Sequence, residues 1–593
     1  MFSKILVLNR GEIAVRIIRT CKEMGIKTIS VYANGDENAQ YVKLSDESYA
    51  LDGTTAAESF LDTEKILEVI ERSKPDALHP GYGFYSENAD FVKTVEEKGI
   101  VWIGPSSKAI ELMGDKLSAR KIAIQGKVPI VPGDSNAIKT PDEVIKFGKK
   151  AGWPIAIKAA FGGGGRGMKV VYSEDEAEEA YDSATREAMS YFGNSSVYVE
   201  KYLVKPRHVE VQIFGDSKGN YVWLGTRDCS VQRRYQKLIE EAPAPFMSKE
   251  TEQALGEASI NAAKACNYTN AGTVEFLFID KTRSSSKKDE FYFLEMNTRL
   301  QVEHCVSEEI TRIDFVKEQI NIAAGKELSF TQSAYKPISH SIEIRINAEN
   351  AKIGFVPTPG RINKFSMAQG PGIRYDGGYE SGDAISQNFD NLVGKLIATA
   401  PTREEAIKKL IRAIDEVTIT GIETTIEAQK LMLQSKAFQT GEHHTKWVED
   451  ELDLSSLEDL PAQELAKDDD ESSKVKKTVV TEVNGKRFEV NVWVDENDLL
   501  QKSGTKKKSK RKAVSSGGSS SGNDSALLAP MQGTIVEIKV KAGESFAQGD
   551  VLCVLEAMKM ENQLRATKDG KIKEVKVSKG DGVGSGDELI SFE

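Results

Sequence analysis

Apolar runs and helical periodicity alternate from the start of the chain. Residues 4–8 form a continuous apolar run, the mark of a short buried strand. Asn9-Arg10-Gly11-Glu12 turns this run into a helix with Ile13, Ile17, Ile18 and Met24 on one face, and Lys27–Tyr32 reads as a second strand. Strand, helix and strand in that order predict a parallel sheet with right-handed crossovers. A third unit ends at Ala77-Leu78-His79-Pro80-Gly81-Tyr82-Gly83-Phe84, where the carboxyl end of a parallel strand would meet a ligand. The first turn lacks a GxGxxG fingerprint, so dinucleotide binding is not indicated.

From about residue 115 the texture changes. Trp153–Lys158 is an apolar strand ending in lysine, and it runs into Phe161-Gly162-Gly163-Gly164-Gly165-Arg166-Gly167-Met168, followed by Lys169-Val170-Val171. A glycine-rich loop between strands lets backbone N–H groups approach phosphates without Cβ clashes. The GKS/T ending and following helix of a Walker loop are missing.

Residues 205–305 carry the densest chemistry. Gly272–Phe276 and Phe291–Asn297 are apolar runs that contain acids, Glu275 and Glu295. Acids inside apolar strands are costly unless paired or metal-bound. Glu295 and Asn297 share a strand face, and with Glu275 they form a hard oxygen set suited to Mg²⁺ or Mn²⁺. Arg299, Gln301, Glu303 and His304 follow. Upstream, Arg227, Arg233, Arg234 and Lys237 fall within residues 227–237, which suggests an anion site.

Period-two alternation returns near the C-terminus. Lys477–Val494 alternates around Asn484-Gly485, a hairpin signal. Beyond it the chain repeats itself: Gly533–Val540 answers Gly570–Val577 at an offset of 37, and Gly543, Gly549 and Asp550 recur as Gly580, Gly586 and Asp587. Two copies of one strand–turn–strand unit predict a flattened β-barrel with a pseudo-two-fold axis. Lys559, within Glu556-Ala557-Met558-Lys559-Met560, falls between the copies at an expected hairpin tip.

Bulk properties narrow the function classes. The chain has 593 residues, enough for three to five domains. A net charge of −11 argues against nucleic-acid or membrane-surface partners. Five scattered cysteines without CxxC spacing suggest reduced thiols and a cytoplasmic location. The N-terminal apolar run is too short for a signal peptide, and no 18-residue apolar run occurs.

The C-terminal repeat with Ala557-Met558-Lys559-Met560 resembles the biotin carrier domains of biotin-dependent carboxylases, and the resemblance implies biotin attached to Lys559 by a biotin protein ligase. Residues 2–450 resemble the biotin carboxylase component of acyl-CoA carboxylases, an ATP-grasp enzyme. The blocks that carry this are residues 9–14, 79–83, the glycine-rich loop, Arg227-Asp228-Cys229-Ser230, residues 240–245, residues 295–299 and residues 341–349. Tyr235 stands where many members have histidine, and Cys305 where proline is usual.

The resemblance implies fold, chemistry and roles. The fold class is α/β: a Rossmann-like N-terminal domain (1–114), an ATP-grasp domain (115–336) with a lid near 131–204, and a C-terminal α/β domain (337–450). An acidic segment and hairpin (451–500), a flexible linker (501–525) and an all-β biotinyl/lipoyl-like barrel (526–593) follow. The implied reaction is phosphorylation of bicarbonate by ATP to carboxyphosphate, then carboxylation of biotin. Lys116, Lys158, Gly163, Gly164, Gly165, Glu200, Lys201, Leu203, His208, Gln232 and Tyr235 are the implied ATP-binding residues. Glu275, Glu295 and Asn297 would hold Mg²⁺ or Mn²⁺. Glu303 is the implied general base on bicarbonate, aided by Lys237 and Arg299. Arg345 would offset the negative charge of deprotonated biotin, and Tyr82, Gln301 and Val302 complete the bicarbonate and biotin site.

Implied partners are a separate carboxyltransferase β subunit, since 451–525 is too short to hold that domain, and further copies of the chain. The 477–494 hairpin is a candidate docking element for the former. The 501–525 linker would span roughly 25–30 Å as a coil and about 80–90 Å extended, enough for a carrier to visit two sites. Malonyl-CoA or methylmalonyl-CoA is the expected product. Methylcrotonyl-CoA, pyruvate and urea remain open as alternative acceptors, since the acceptor-binding part lies outside this sequence.

Overall fold

The computed structural model describes residues 1–134, 136–160, 168–281, 288–457, 474–483, 486–495, 526–529, 533–557, 560–583 and 587–592. Gly163, Gly164, Gly165, the 501–525 linker and Lys559 therefore lie outside the described residues. The chain divides into two compact units, Met1–Leu457 and Glu458–Glu593.

The first unit opens on a five-stranded sheet with every neighbouring pair parallel, ordered Glu47–Ala50, Lys27–Tyr32, Lys4–Val7, Ala77–His79, Val101–Trp102. The helix Gly11–Glu23 buries Ile13, Ile17 and Ile18, as its periodicity predicts. Ile17 and Ile18 pack with Phe315 and Ile320 of a later helix, which ties this sheet to the body of the unit.

The centre is an eight-stranded antiparallel sheet. Its order is Glu290–Asn297, Asn270–Ile279, Arg207–Gly215, Tyr221–Arg233, Gln236–Ala242, His340–Asn347, Leu392–Ala400, Ile373–Gly377. The junction expected at 336/337 thus falls inside one continuous sheet, joined where Ile239–Ala242 pairs with Ser341–Ile344. A separate three-stranded sheet holds Met168–Val171, Ile155–Ala159 and Val197–Lys201. The glycine-rich segment runs between its first two strands in sequence, Ile155–Ala159 and Met168–Val171.

In the second unit, Lys474–Val483 and Lys486–Asp495 pair antiparallel with Val483 opposite Lys486, so the alternating stretch around Asn484-Gly485 is a hairpin. The C-terminal repeat folds as two four-stranded sheets. One is ordered Ala526–Leu528, Glu588–Phe592, Gly570–Val575, Ser545–Phe546; the other Met560–Arg565, Val551–Ala557, Gly533–Ile538, Gly582–Val583. The second order is the first moved by 37 positions, and each copy contributes both edge strands to the sheet whose two central strands belong to the other. Even the registers match: Ser545 opposite Lys571 corresponds to Gly582 opposite Thr534. Ala557 pairs with Met560 on either side of Met558 and Lys559.

Candidate active site

One cavity of about 400 Å³ opens between the central sheet and the three-stranded sheet. The strands that line it are built for it. Arg207–Gly215 alternates His208, Glu210 and Gln212 with Val209, Val211 and Ile213, and all of them are buried. The apolar set packs against the helix Lys249–Ala265 through Leu255 and Ala262, so the polar set faces the other way.

Lys237, on Gln236–Ala242, gathers three carboxylates. Its Nζ donates to Glu303 Oε1 at 2.5 Å, Glu210 Oε2 at 2.7 Å and Glu275 Oε1 at 3.1 Å. Burial opposes the charge of this ammonium, but the surrounding acids keep it firmly protonated. Arg345 takes the other oxygen of Glu303 at 2.9 Å and holds Glu240 at 2.6 Å. Burial alone would raise the Glu303 carboxyl; Lys237, Arg345 and Arg227 outweigh it and hold it well below the ordinary range. Glu303 is therefore an anion with both oxygens engaged by cations.

Arg299 is braced by Glu87 at 2.9 Å and reaches Asn297 Oδ1 at 3.0 Å. Gln301 Nε2 and Asn297 Nδ2 each donate to Glu275 Oε1 at 2.8 Å. Arg299, Gln301, Val302 and Glu303 do not extend a strand; they sit on the turn between Glu290–Asn297 and the helix His304–Thr311. Beneath them Arg227 is fully buried and donates to Gln212, Ser307, Thr273 and Gln301 at 2.7–3.0 Å, besides pairing with Glu210. Lys395, equally buried, donates to the Val302 carbonyl at 2.8 Å and pairs with Glu12 at 3.1 Å.

Lys116, Lys158, Glu200, Lys201, Leu203, His208, Gln232 and Tyr235 also line the cavity. Glu200 pairs with Lys158 and with Arg120 at 3.1 Å. His208 Nε2 lies 2.9 Å from Glu275 Oε2. Tyr235 sits in a tight turn with φ of 65°, under the Lys446 ammonium at 4.9 Å from its ring centre. Lys446 and Thr445 also line the cavity, which sequence reasoning did not anticipate.

Glu275 and Glu295 are register partners on adjacent strands. Glu295 makes no salt bridge among the described residues, and burial together with the Glu275 charge raises its carboxyl pKa. Two close acids, of which Glu295 has no salt-bridge partner among the described residues, and the Asn297 amide oxygen make a hard donor set that fits Mg²⁺. Tyr82 is not among the residues lining this cavity; its hydroxyl is bonded to Glu12, and it packs against the core that holds Ile13 and Ile17. Cys305 is buried and donates its thiol to Asp376 at 3.1 Å. All five cysteines are free and buried. Among the described residues no helix is long and apolar enough to cross a membrane.

Comparison with known proteins decides the family. Family profiles described as biotin carboxylase N-terminal domain, carbamoyl-phosphate synthase L chain ATP binding domain, and biotin carboxylase C-terminal domain match residues 1–110, 115–331 and 343–450. A fourth, described as biotin-requiring enzyme, matches 525–592. A biotin-dependent acyl-coenzyme A carboxylase alpha3 subunit from Mycobacterium leprae is 44% identical over 576 residues, 95% of this chain and 94% of that protein. The chain belongs to the biotin-dependent carboxylases. It is a biotin carboxylase of the ATP-grasp type with a carrier domain on the same polypeptide, and its cofactors are biotin, ATP and Mg²⁺. A crystal structure of biotin carboxylase from Campylobacter jejuni, complexed with a β,γ ATP ligand, is similar with a TM-score of 0.73 at 43% identity, covering 76% of this chain and 98% of that one. The biotin carboxylase domain of a Hydrogenobacter thermophilus 2-oxoglutarate carboxylase, a dimer with MgADP and bicarbonate, is similar with a TM-score of 0.72 at 42% identity, covering 76% and 97%.

Proposed function

We propose that this chain is the carboxylase and carrier subunit of an acyl-CoA carboxylase, using ATP and bicarbonate to carboxylate biotin on Lys559 and delivering the carboxyl group to a separate carboxyltransferase subunit. The observation that carries the reading is Glu303, ionised between Lys237 and Arg345 in a cavity that is also lined by Lys116, Lys158, His208 and Glu200.

In this reading Lys116, Lys158 and the 162–167 loop hold the nucleotide phosphates. Glu275, Glu295 and Asn297 hold Mg²⁺, which neutralises phosphate charge when bound. Phosphoryl transfer asks mainly for positioning and charge neutralisation. Bicarbonate occupies the space before Arg299 and Lys237, and its proton passes to Glu303. Its arrival draws Lys237 off Glu303, and the carboxylate becomes a stronger base as that cation leaves. Biotin supplies the ureido nitrogen that accepts the carboxyl group. Arg345 holds a fixed positive charge beside that acceptor, and Glu240 fixes the direction of the guanidinium. The three-stranded sheet serves as the lid over the nucleotide. Tethering the carrier to the carboxylase raises its effective concentration at this site.

Malonyl-CoA or methylmalonyl-CoA is the proposed product, the 477–494 hairpin the docking element for the partner, and self-association through the first unit the proposed oligomer. The test is bicarbonate-dependent ATP cleavage by the purified chain with biotin, followed by an acyl-CoA panel on the complex copurified with its partner. ATP cleavage indifferent to bicarbonate would overturn the reading. Turnover of pyruvate, urea or methylcrotonyl-CoA in the panel would overturn the acceptor.

A further inference from the structure

Behind Arg345 lies a pair of acids to which the scheme above gives no joint work. Glu240, on Gln236–Ala242, and Glu343, on His340–Asn347, are direct register partners. Residues directly opposed in an antiparallel pair point to the same face of the sheet. Glu343 and Arg345 also share that face, two positions apart. Both acids are 0% exposed.

Their hydrogen bonding is incomplete. Glu240 Oε1 accepts from Arg345, but Glu240 Oε2 and both oxygens of Glu343 have no partner, and all three atoms are buried. An ionised carboxylate left in that condition is strongly disfavoured, because burial strips its hydration and nothing replaces it. A proton removes the difficulty, because it neutralises one acid and makes it a donor to the other. Two facing carboxyls commonly settle on this arrangement.

The neighbours from every packed element agree. Lys237 and Arg345 face the pair from its own two strands, Lys395 from Leu392–Ala400, and Glu303 from the adjoining turn. Cys229 and Cys305 approach from Tyr221–Arg233 and the helix His304–Thr311. Lys237, Arg345 and Lys395 are already engaged by Glu303, Glu240 and Glu12. Burial pushes the Glu343 carboxyl well above the ordinary range despite Lys395, and burial pushes Glu240 up to about 7.

We propose that Glu240 and Glu343 hold one proton between them, with Glu343 the neutral acid donating to Glu240, and that the pair is a positioning device for Arg345. Resting on the carboxylase reading, the device fixes how the guanidinium divides between Glu240 and the base Glu303. When a second proton enters the pair as pH falls, Glu240 releases Arg345, the guanidinium turns wholly to Glu303, and the base is lost. Turnover should therefore fall on the acid side of neutrality through this pair.

The experiment measures kcat and both KM values for bicarbonate-dependent ATP cleavage against pH in the full chain. Glu343→Met keeps the volume but removes the donor; its acid limb should move up by about half a pH unit or more, with the KM for ATP unchanged. Glu343→Gln is neutral and still a donor, so it should restore the wild-type limb. A Glu343→Gln limb displaced to lower pH would mean that Glu343 is ionised, and a Glu343→Met limb equal to wild type would remove the positioning role; either overturns the proposal. Infrared difference spectra supply a readout independent of turnover. A carboxylic-acid C=O band at neutral pH in wild type, lost in Glu343→Gln, is expected, and no such band overturns the proposal. Absence of bicarbonate dependence in wild type would instead refute the carboxylase reading, with the infrared result still deciding the shared proton.

Discussion

The Lys237 ammonium lies 2.5 Å from Glu303 and serves Glu210 and Glu275 as well. A single cation thus links the proposed base, one proposed metal ligand and, through Glu210, the Arg227 network. Glu303→Gln removes the proton acceptor while keeping shape and hydrogen bonding. The expected outcome is loss of bicarbonate-dependent ATP cleavage by at least about 10²-fold, with ATP affinity within a few-fold of wild type. Single-turnover cleavage and nucleotide titration check it, and near-normal turnover would remove Glu303 from the role.

Lys237→Met leaves three buried carboxylates without their common cation. Losing one partner of a buried ion pair costs about 3–5 kcal/mol, so this variant should lose stability as well as activity. Denaturant melts alongside turnover distinguish it from Glu303→Gln, whose effect should be on turnover.

The proposed metal ligands make a separate prediction. Glu295→Gln keeps the packing but drops a hard anionic donor, so about tenfold more Mg²⁺ should be needed for half-maximal ATP cleavage, a difference of about 1.4 kcal/mol. A titration of free Mg²⁺ at saturating ATP reads this directly. An unchanged requirement would take Glu295 out of the metal set.

Acid stability should report on a pair remote from the reaction. Burial raises the Glu241 carboxyl, but Arg403 at 2.6 Å and His340 at 2.7 Å more than reverse this, holding it at about 2. A lowered carboxyl stabilises the fold above its unfolded pKa and loses that contribution as pH falls through the folded one. The window therefore runs from the ordinary value of 4.5 down to about 2. Arg403→Gln should lower stability by about 3–5 kcal/mol at neutral pH, and the gap to wild type should narrow across that window. Chemical denaturation at several pH values checks it, and a gap constant with pH would contradict the assignment.

Attachment at Lys559 has its own test. Incubation with a biotin protein ligase should increase the intact mass of wild type by one biotinyl group and leave Lys559→Arg unchanged. Free biotin should still be carboxylated by that variant, since the cavity at Glu303 belongs to the first unit. Modification of Lys559→Arg would place the site elsewhere.

Much of this was legible in sequence because it was local. The parallel strands, the acids within apolar strands and the 37-residue repeat are each visible within a short window. His208, Glu210 and Gln212 also gave a signal, polar residues at period two in a strand buried on both faces. What stayed hidden depends on distant chain. Glu87 braces Arg299 from 212 positions away, and Lys395 supports the Val302 carbonyl from 93 away. No periodicity connects such pairs. The continuous sheet across residues 336 and 337 was equally hidden, since strand pairing between Ile239–Ala242 and Ser341–Ile344 is a tertiary choice. The Tyr82 hydroxyl contact with Glu12, 70 positions away, was hidden for the same reason.

The exchanged edge strands of the C-terminal repeat mean that neither half owns a complete β-sandwich. A fragment holding one copy alone would have both edges of its sheet open, one where Ser545–Phe546 or Gly582–Val583 is borrowed and one where Ala526–Leu528 or Met560–Arg565 is. Its only complementary surface would be another identical fragment. Such a piece should therefore assemble as a homodimer with true two-fold symmetry, the form from which tandem duplication could have produced the single-chain domain.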